Sequence, residues 1–214
     1  MIYYLKDENS FKDFHNKTHQ VGILSRETPS ESRAFFSIFS SSPFSISGFV
    51  NEKNAKKDID ELIENQLKKK IKLSLFYNHW LDDMSRICKM FCSFQKKKRI
   101  SFWLGSERGC KRFHVDMVNF RLLVTYTGNG TEILPDNAAN RKAFTQGKSN
   151  DEIIKDKSLI KYVNEWDISI FRGGENGILH RTPDSALKKI SSILMRLDHP
   201  SFLEQIIQFN SIAR

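Results

Sequence analysis

"RFHVDMVNFRLLVTYTGNGTE", residues 112–132, is the stretch on which the reading of the chain turns. A histidine and an aspartate, His114 and Asp116, stand two apart, and in extended backbone residues i and i+2 point to one face. Residues 119–127 follow with strand character, and "GNG" (128–130) closes them as a turn. On that strand Arg121, Leu123 and Thr125 share one face, while Phe120, Leu122, Val124 and Tyr126 share the other. A strand buried on both sides does not tolerate an unpaired guanidinium, so Arg121 needs an acidic partner.

Outward from this stretch the pattern changes character on each side. "KRISFWLG" (98–105) reads as a strand, "SERG" (106–109) as a turn and "CKRFHVD" (110–116) as another strand. Upstream the period is helical. Ile59, Leu62, Ile63 and Leu67 mark a helix over 51–70, and Leu73, Phe76, Tyr77, Trp80, Met84, Ile87 and Phe91 form a continuous stripe over 71–95. Residues 1–50 show no sustained period and are expected to be irregular, an extended arm packed on the body through its phenylalanines. Downstream, "GNGTEIL" reads as turn then strand. Residues 135–159 are polar and read as a long insertion with a short helix near 150–157. "EWDISIFRGGENGILHRTP" (165–183) reads as strand, Gly-rich turn and strand, "SSILMRLD" (191–198) as a strand, and 200–213 as a closing helix with Pro200 in its first turn.

Helices, then short strands with Gly-rich turns, then one helix imply an α+β fold: an antiparallel sandwich or barrel with a helical layer on one outer face. The expected organisation is one globular unit: an arm (1–50), a helical layer (51–97), and a metal-binding barrel with its closing helix (98–214).

Composition narrows the class. The chain has 214 residues, a net charge of +9 and 17 phenylalanines, which suits one packed domain rather than a disordered chain. No apolar run approaches a membrane span, and "MIYYLKDENS" lacks the features of a signal peptide. Cys88, Cys92 and Cys110 suit no disulfide framework, so a reducing cytoplasm is the expected home. The charge excess gathers in "KKKIK" (68–72) and "KKKR" (96–99). Such clusters are either solvated helix ends or a contact for nucleic acid or an acidic protein.

The chemistry rests on His114, Asp116 and a third residue, His180, at the end of the strand after the Gly173–Gly177 turn. Two histidines and one carboxylate can form a facial triad, which holds Fe(II) and leaves three positions open; the same set suits Zn(II), Mn(II) or Ni(II). Arg121 then has two readings. It anchors a dicarboxylate ligand, with the Thr125 hydroxyl beside it, or it pairs with Glu132, Asp116 or another protein carboxylate. Arg181 is expected to orient a metal-site carboxylate or the substrate, and Cys110 to lie beside the site or in the core. Glu107, Glu132 and Asp167 are candidate acceptors for a ligand imidazole N–H. His15, His19 and His79 read as structural.

The sequence of motifs, His-x-Asp, several strands, then "FRGGENGILHRTP", resembles the double-stranded β-helix, or cupin-like jelly roll, of the iron(II)/2-oxoglutarate dioxygenases. More narrowly, "CKRFHVDMVNFRLLVTYTGNGTEIL" and "FRGGENGILHRTP" are similar to a bacterial family named only as a domain of unknown function, whose members read His-Arg-Ser-Pro at the second motif. The likeness covers residues 80–198. It implies an oxidative reaction with Fe(II) and 2-oxoglutarate as cofactors, yielding a hydroxylated or demethylated substrate, succinate and carbon dioxide. It also implies a basic residue past the distal histidine to pair with 2-oxoglutarate: Lys189 opens that window, and Arg196 falls late in it. Ile133 stands where the narrower family carries tryptophan. Two rival classes fit the same residues: a cupin-like interaction module, with or without metal, and a zinc-dependent hydrolase.

Overall fold

A computed structural model describes residues 1–41, 43–64, 69–187 and 192–212. Two sheets and seven helices make up an α+β fold among these residues. The strands are β1 (Ile2–Tyr4), β2 (Val21–Leu24), β3 (Ser45–Asn51), β4 (Arg99–Gly105), β5 (Phe120–Thr127), β6 (Glu132–Leu134), β7 (Lys161–Tyr162), β8 (Ile168–Arg172), β9 (Leu179–Arg181) and β10 (Ile193–Asp198). The large sheet has the order β1-β2-β8-β5-β10-β4-β3, and the small one β7-β6-β9. All pairings within residues 98–198 are antiparallel; β1 and β2 pair in parallel.

Helices α1 (Ser10–Phe14), α2 (Ser32–Phe36), α3 (Ala55–Glu64) and α4 (Leu75–Gln95) precede the central strands; α5 (Arg141–Thr145) and α6 (Asn150–Ile153) lie between β6 and β7, and α7 (Pro200–Ile212) follows β10. Helix α4 begins where the Ser74 side chain accepts from the Phe76 amide at 3.3 Å, four residues later than the stripe suggested. It stops at Lys96, which adopts a left-handed conformation while the Lys97 amide closes onto the Cys92 carbonyl at 3.0 Å. Its stripe is buried from Phe76 to Phe91, and only Leu73, ahead of the helix, stands exposed.

The period-two alternation sorts the central strands cleanly. Leu122, Val124 and Tyr126 of β5, Met195 and Leu197 of β10, and Ile100, Phe102 and Leu104 of β4 face α3 and α4 and build the main core around Trp80. The opposite face carries Leu123, Phe171 and Leu194, which pack on Ile133, Val163 and Ile178 around the small sheet. Arg121, Arg196 and Asp198 fall on this second face as cross-strand neighbours: Asp198 is opposite Arg121, and Arg196 is opposite Trp103.

Three expectations change. Residues 1–50 are not irregular: they supply β1, β2 and β3, because their short apolar runs find partners far away in sequence. Residues 112–116 form no strand; a single bridge, His114 to His180, stands in their place. The polar stretch 135–159 holds two short helices and buries Ala138, Ala139, Ala143 and Ile153 against Phe113. Lys68 and Lys189 lie outside the described residues. Among the described residues no helix is long and apolar enough to cross a membrane.

Candidate metal centre

His180 lies on β9, and His114 is tied to it by reciprocal main-chain hydrogen bonds of 3.0 Å. The antiparallel pairing places the two rings side by side, with centroids 4.4 Å apart. Three contacts hold the His114 loop in that register. Phe113 is fully buried in the small cluster of the 135–159 segment. The Asn150 side chain accepts from the Phe113 amide at 2.9 Å and donates to the Lys111 carbonyl at 3.1 Å. The Gly174 amide, finally, donates to the Asp116 carbonyl at 2.8 Å. The last contact explains the double glycine. A Cβ on Gly173 would meet the Val118 carbonyl oxygen at 1.9 Å and that of Asp116 at 2.4 Å, and Gly174 has φ +80°.

The donor atoms converge. One ligand atom from each of His114, Asp116 and His180 lies within 4.8 Å of the others, so the three could hold a metal ion. Each imidazole is set for that role by a hydrogen bond on its far side. Nδ1 of His114 donates to the Arg112 carbonyl at 3.1 Å, and Nδ1 of His180 to the Ile178 carbonyl at 3.0 Å. A proton on Nδ1 leaves the Nε2 lone pair free, the form a metal takes. Asp116 is equally committed. Its Oδ1 accepts from Arg121, while its Oδ2 is buried without a hydrogen-bond partner and lies 3.4 Å from His180 Nε2. The buried Oδ2 faces the edges of the two imidazoles with no hydrogen-bond partner of its own, a position that a cation can fill. Octahedral bonds of about 2.1 Å set adjacent ligands about 3 Å apart, so the side chains need only draw together by an ångström or two.

The titration behaviour follows the same charges. Burial works to raise the pKa of Asp116, but His180, Arg121 and His114 outweigh it and hold the carboxyl at about 2. Burial disfavours the charged form of His114, yet the bond to Cys110 and the charge of Asp116 leave its pKa raised.

A pocket of about 100 Å³ opens on one side of the triad. His114 and His180 line it, together with Arg108, Arg121, Arg181 and Arg196. Arg121 is an ion-pair partner: it bridges Asp116 and, through Nε at 2.8 Å, Asp198. Of its two readings, the protein-carboxylate one describes these contacts. Arg196 reaches the other Asp198 oxygen at 3.1 Å and lies over the rings of Trp103 and Phe202, with Phe202 supplied by α7. Arg181 pairs with Glu132 at 3.0 Å rather than with a triad carboxylate, and lies over Phe113. It also borders a second, open cleft of about 680 Å³ that includes Arg33, Asn129 and Asp184. Thr125 is buried on the second face of β5 but is not part of the pocket wall.

Neither imidazole uses a carboxylate to fix its tautomer; backbone carbonyls do so, Glu132 and Asp167 pair elsewhere, and Glu107 lines the pocket without bonding to either ring. Asp167 accepts from the Arg26 and Asn164 amides. Cys110 is exposed at the pocket mouth. Two site residues were not singled out in the sequence. Asp198 was legible as an acid at the end of a strand, two residues after Arg196. Arg108 sat in a segment whose only signal was that of a turn.

The chain matches, over residues 6–198, the family described as Protein of unknown function (DUF1826), and it belongs to that family. No curated protein matches it. Among solved structures it is similar to a bsmA homolog from Methylobium petroleophilum PM1, at 8% identity and a TM-score of 0.45, covering 90% of this chain and 92% of that one. It is also similar to a "putative oxygenase" from Shewanella oneidensis, at 14% identity and a TM-score of 0.41, covering 99% and 98%.

Proposed function

We propose that this member of the DUF1826 family is a non-haem iron(II) oxygenase that uses 2-oxoglutarate, built on a double-stranded β-helix. One observation carries the reading: two imidazole Nε2 atoms and one unpartnered carboxylate oxygen converge on a point that faces a pocket. Two nitrogens and a carboxylate suit iron(II) and leave the remaining positions open for small ligands, whereas a structural zinc site is closed by four protein ligands. The two-sheet scaffold supports the reading, since the triad hangs between the second face of the large sheet and the edge of the small one.

When bound, iron(II) with 2-oxoglutarate supplies a two-electron oxidation in which dioxygen gives one oxygen atom to the substrate and one to succinate, with loss of carbon dioxide. The chain's own residues do the rest. His114 and His180 are free to offer Nε2 to the metal because backbone carbonyls accept from their Nδ1 atoms. Arg121 occupies Asp116 Oδ1 and so leaves Oδ2 to the metal. Phe171 packs beside His180, with ring centroids 4.6 Å apart, and keeps that wall of the site apolar. The test is 2-oxoglutarate turnover by anaerobically reconstituted protein exposed to oxygen. Succinate should form in wild type and not in Asp116→Ala. Iron-loaded wild type that neither binds 2-oxoglutarate nor releases succinate, even slowly and without substrate, defeats the proposal.

A further inference from the structure

Four guanidinium groups and the Glu107 side chain line the triad pocket, and the carboxylates that pair with the arginines are shared unequally among them. Arg121 holds Asp116 and Asp198, Arg196 holds Asp198, and Arg181 holds Glu132 and Asp184. Among the described residues Arg108 has no carboxylate within ion-pair distance. Its Nη1 donates to the Asn129 carbonyl at 2.7 Å and its Nη2 to Thr131 Oγ1 at 3.3 Å. These bonds aim the group without neutralising it, and its Nε–H is buried with no acceptor. Burial pulls its pKa down to about 10, which still leaves it charged at neutral pH. A fixed, half-desolvated guanidinium with unused donors is well matched to a carboxylate, which it can take through two parallel bonds.

We infer that Arg108 binds the acid group of the ligand that occupies this pocket, so that a 2-oxo diacid is held at its far end from the β4-to-His114 connection. Of the two basic residues named for that role, Arg196 is already engaged by Asp198 and by two aromatic rings, and Lys189 lies outside the described residues. Arg108 and the two triad histidines line one pocket of about 100 Å³. This assignment rests on the 2-oxoglutarate reading and is tested so that the two can fail separately.

The experiment is calorimetric titration of Mn(II)-loaded protein, which does not turn over, with 2-oxoglutarate and with 2-oxopentanoate. The second ligand keeps the chelating 2-oxo acid and replaces the distal carboxylate by a methyl group. Wild type should prefer the diacid by about 10- to 100-fold, the range of a charge-assisted bidentate contact. Arg108→Gln should bind the two alike, and Arg108→Lys, which keeps charge but loses the fork, should fall between. Metal content and melting temperature of each variant show that the site is intact. If neither acid binds wild type, the 2-oxoglutarate reading falls and the anchor with it. If wild type binds both acids equally, or Arg108→Gln keeps the preference, the 2-oxo acid site stands and the Arg108 assignment is overturned.

Discussion

Replacing Arg121 by glutamine tests the electrostatic frame of the site. Arg121 sits between Asp116 and Asp198, which are 2% and 1% exposed. Its removal leaves two buried carboxylates, of which Asp198 keeps its contact with Arg196. Breaking one partner out of a buried ion pair costs about 3–5 kcal/mol. For a domain of this size each kcal/mol moves the melting point by about 2–4 °C, so a fall of about 6–20 °C is expected at pH 7. The loss has a sign in pH. Burial already pushes the Asp198 carboxyl above its ordinary range, against the pull of Arg121 and Arg196. Without Arg121 that elevation grows, and a raised carboxyl pKa costs stability when ionised. The deficit is therefore full at neutral pH and shrinks as the pH falls and Asp198 takes up a proton. A divalent metal at the triad would replace part of the lost positive charge, so metal should raise the melting point of the variant more than that of wild type. Differential scanning calorimetry at two pH values, with and without Mn(II), reads all three effects. A variant that melts within about 2 °C of wild type would show that the pair behaves like an exposed one and that the frame is wrong.

Gly173→Ala should weaken metal binding while the fold survives, because its methyl group would push the Asp116–Val118 backbone away from contacts of 1.9 and 2.4 Å; metal titration against far-UV circular dichroism separates the two effects. The three thiols should differ in reactivity. Cys110 is exposed and its pKa is lowered by the bond to His114, whereas burial raises Cys88 and takes Cys92 to about 12. One thiol per chain should label rapidly in the folded protein and the other two only on unfolding; fast labelling of Cys88 or Cys92 would contradict the buried α4 face.

The parts legible in sequence were those fixed by local period. The α4 stripe from Phe76 to Phe91 and the alternation along β5, β8 and β10 follow from which side chains must leave water, and the two faces of β5 come out as the spacing suggests. The strands β1 and β2, three and four residues long, carry too little pattern to be told from loop; their partners fix them. The triad residues were legible, but not the means of their convergence. His114 and Asp116 share a side through one bridge to His180 and through the glycines that admit the Asp116 carbonyl, rather than through a strand of their own. Arg121 left its two partners undecided because β10 and the His114 loop meet it only in three dimensions. Arg108 carried no pattern, since what distinguishes it is the acid it lacks.

The most direct measurement is the metal stoichiometry of the triad. Anaerobic titration with Fe(II), or with Co(II) read by its visible absorption, should saturate at one equivalent per chain in wild type. The equivalent should be lost in Asp116→Ala and in His180→Ala when both variants retain a cooperative thermal transition. One equivalent bound undiminished by both folded variants, or none bound by wild type, would contradict the assignment of His114, Asp116 and His180 as the metal centre.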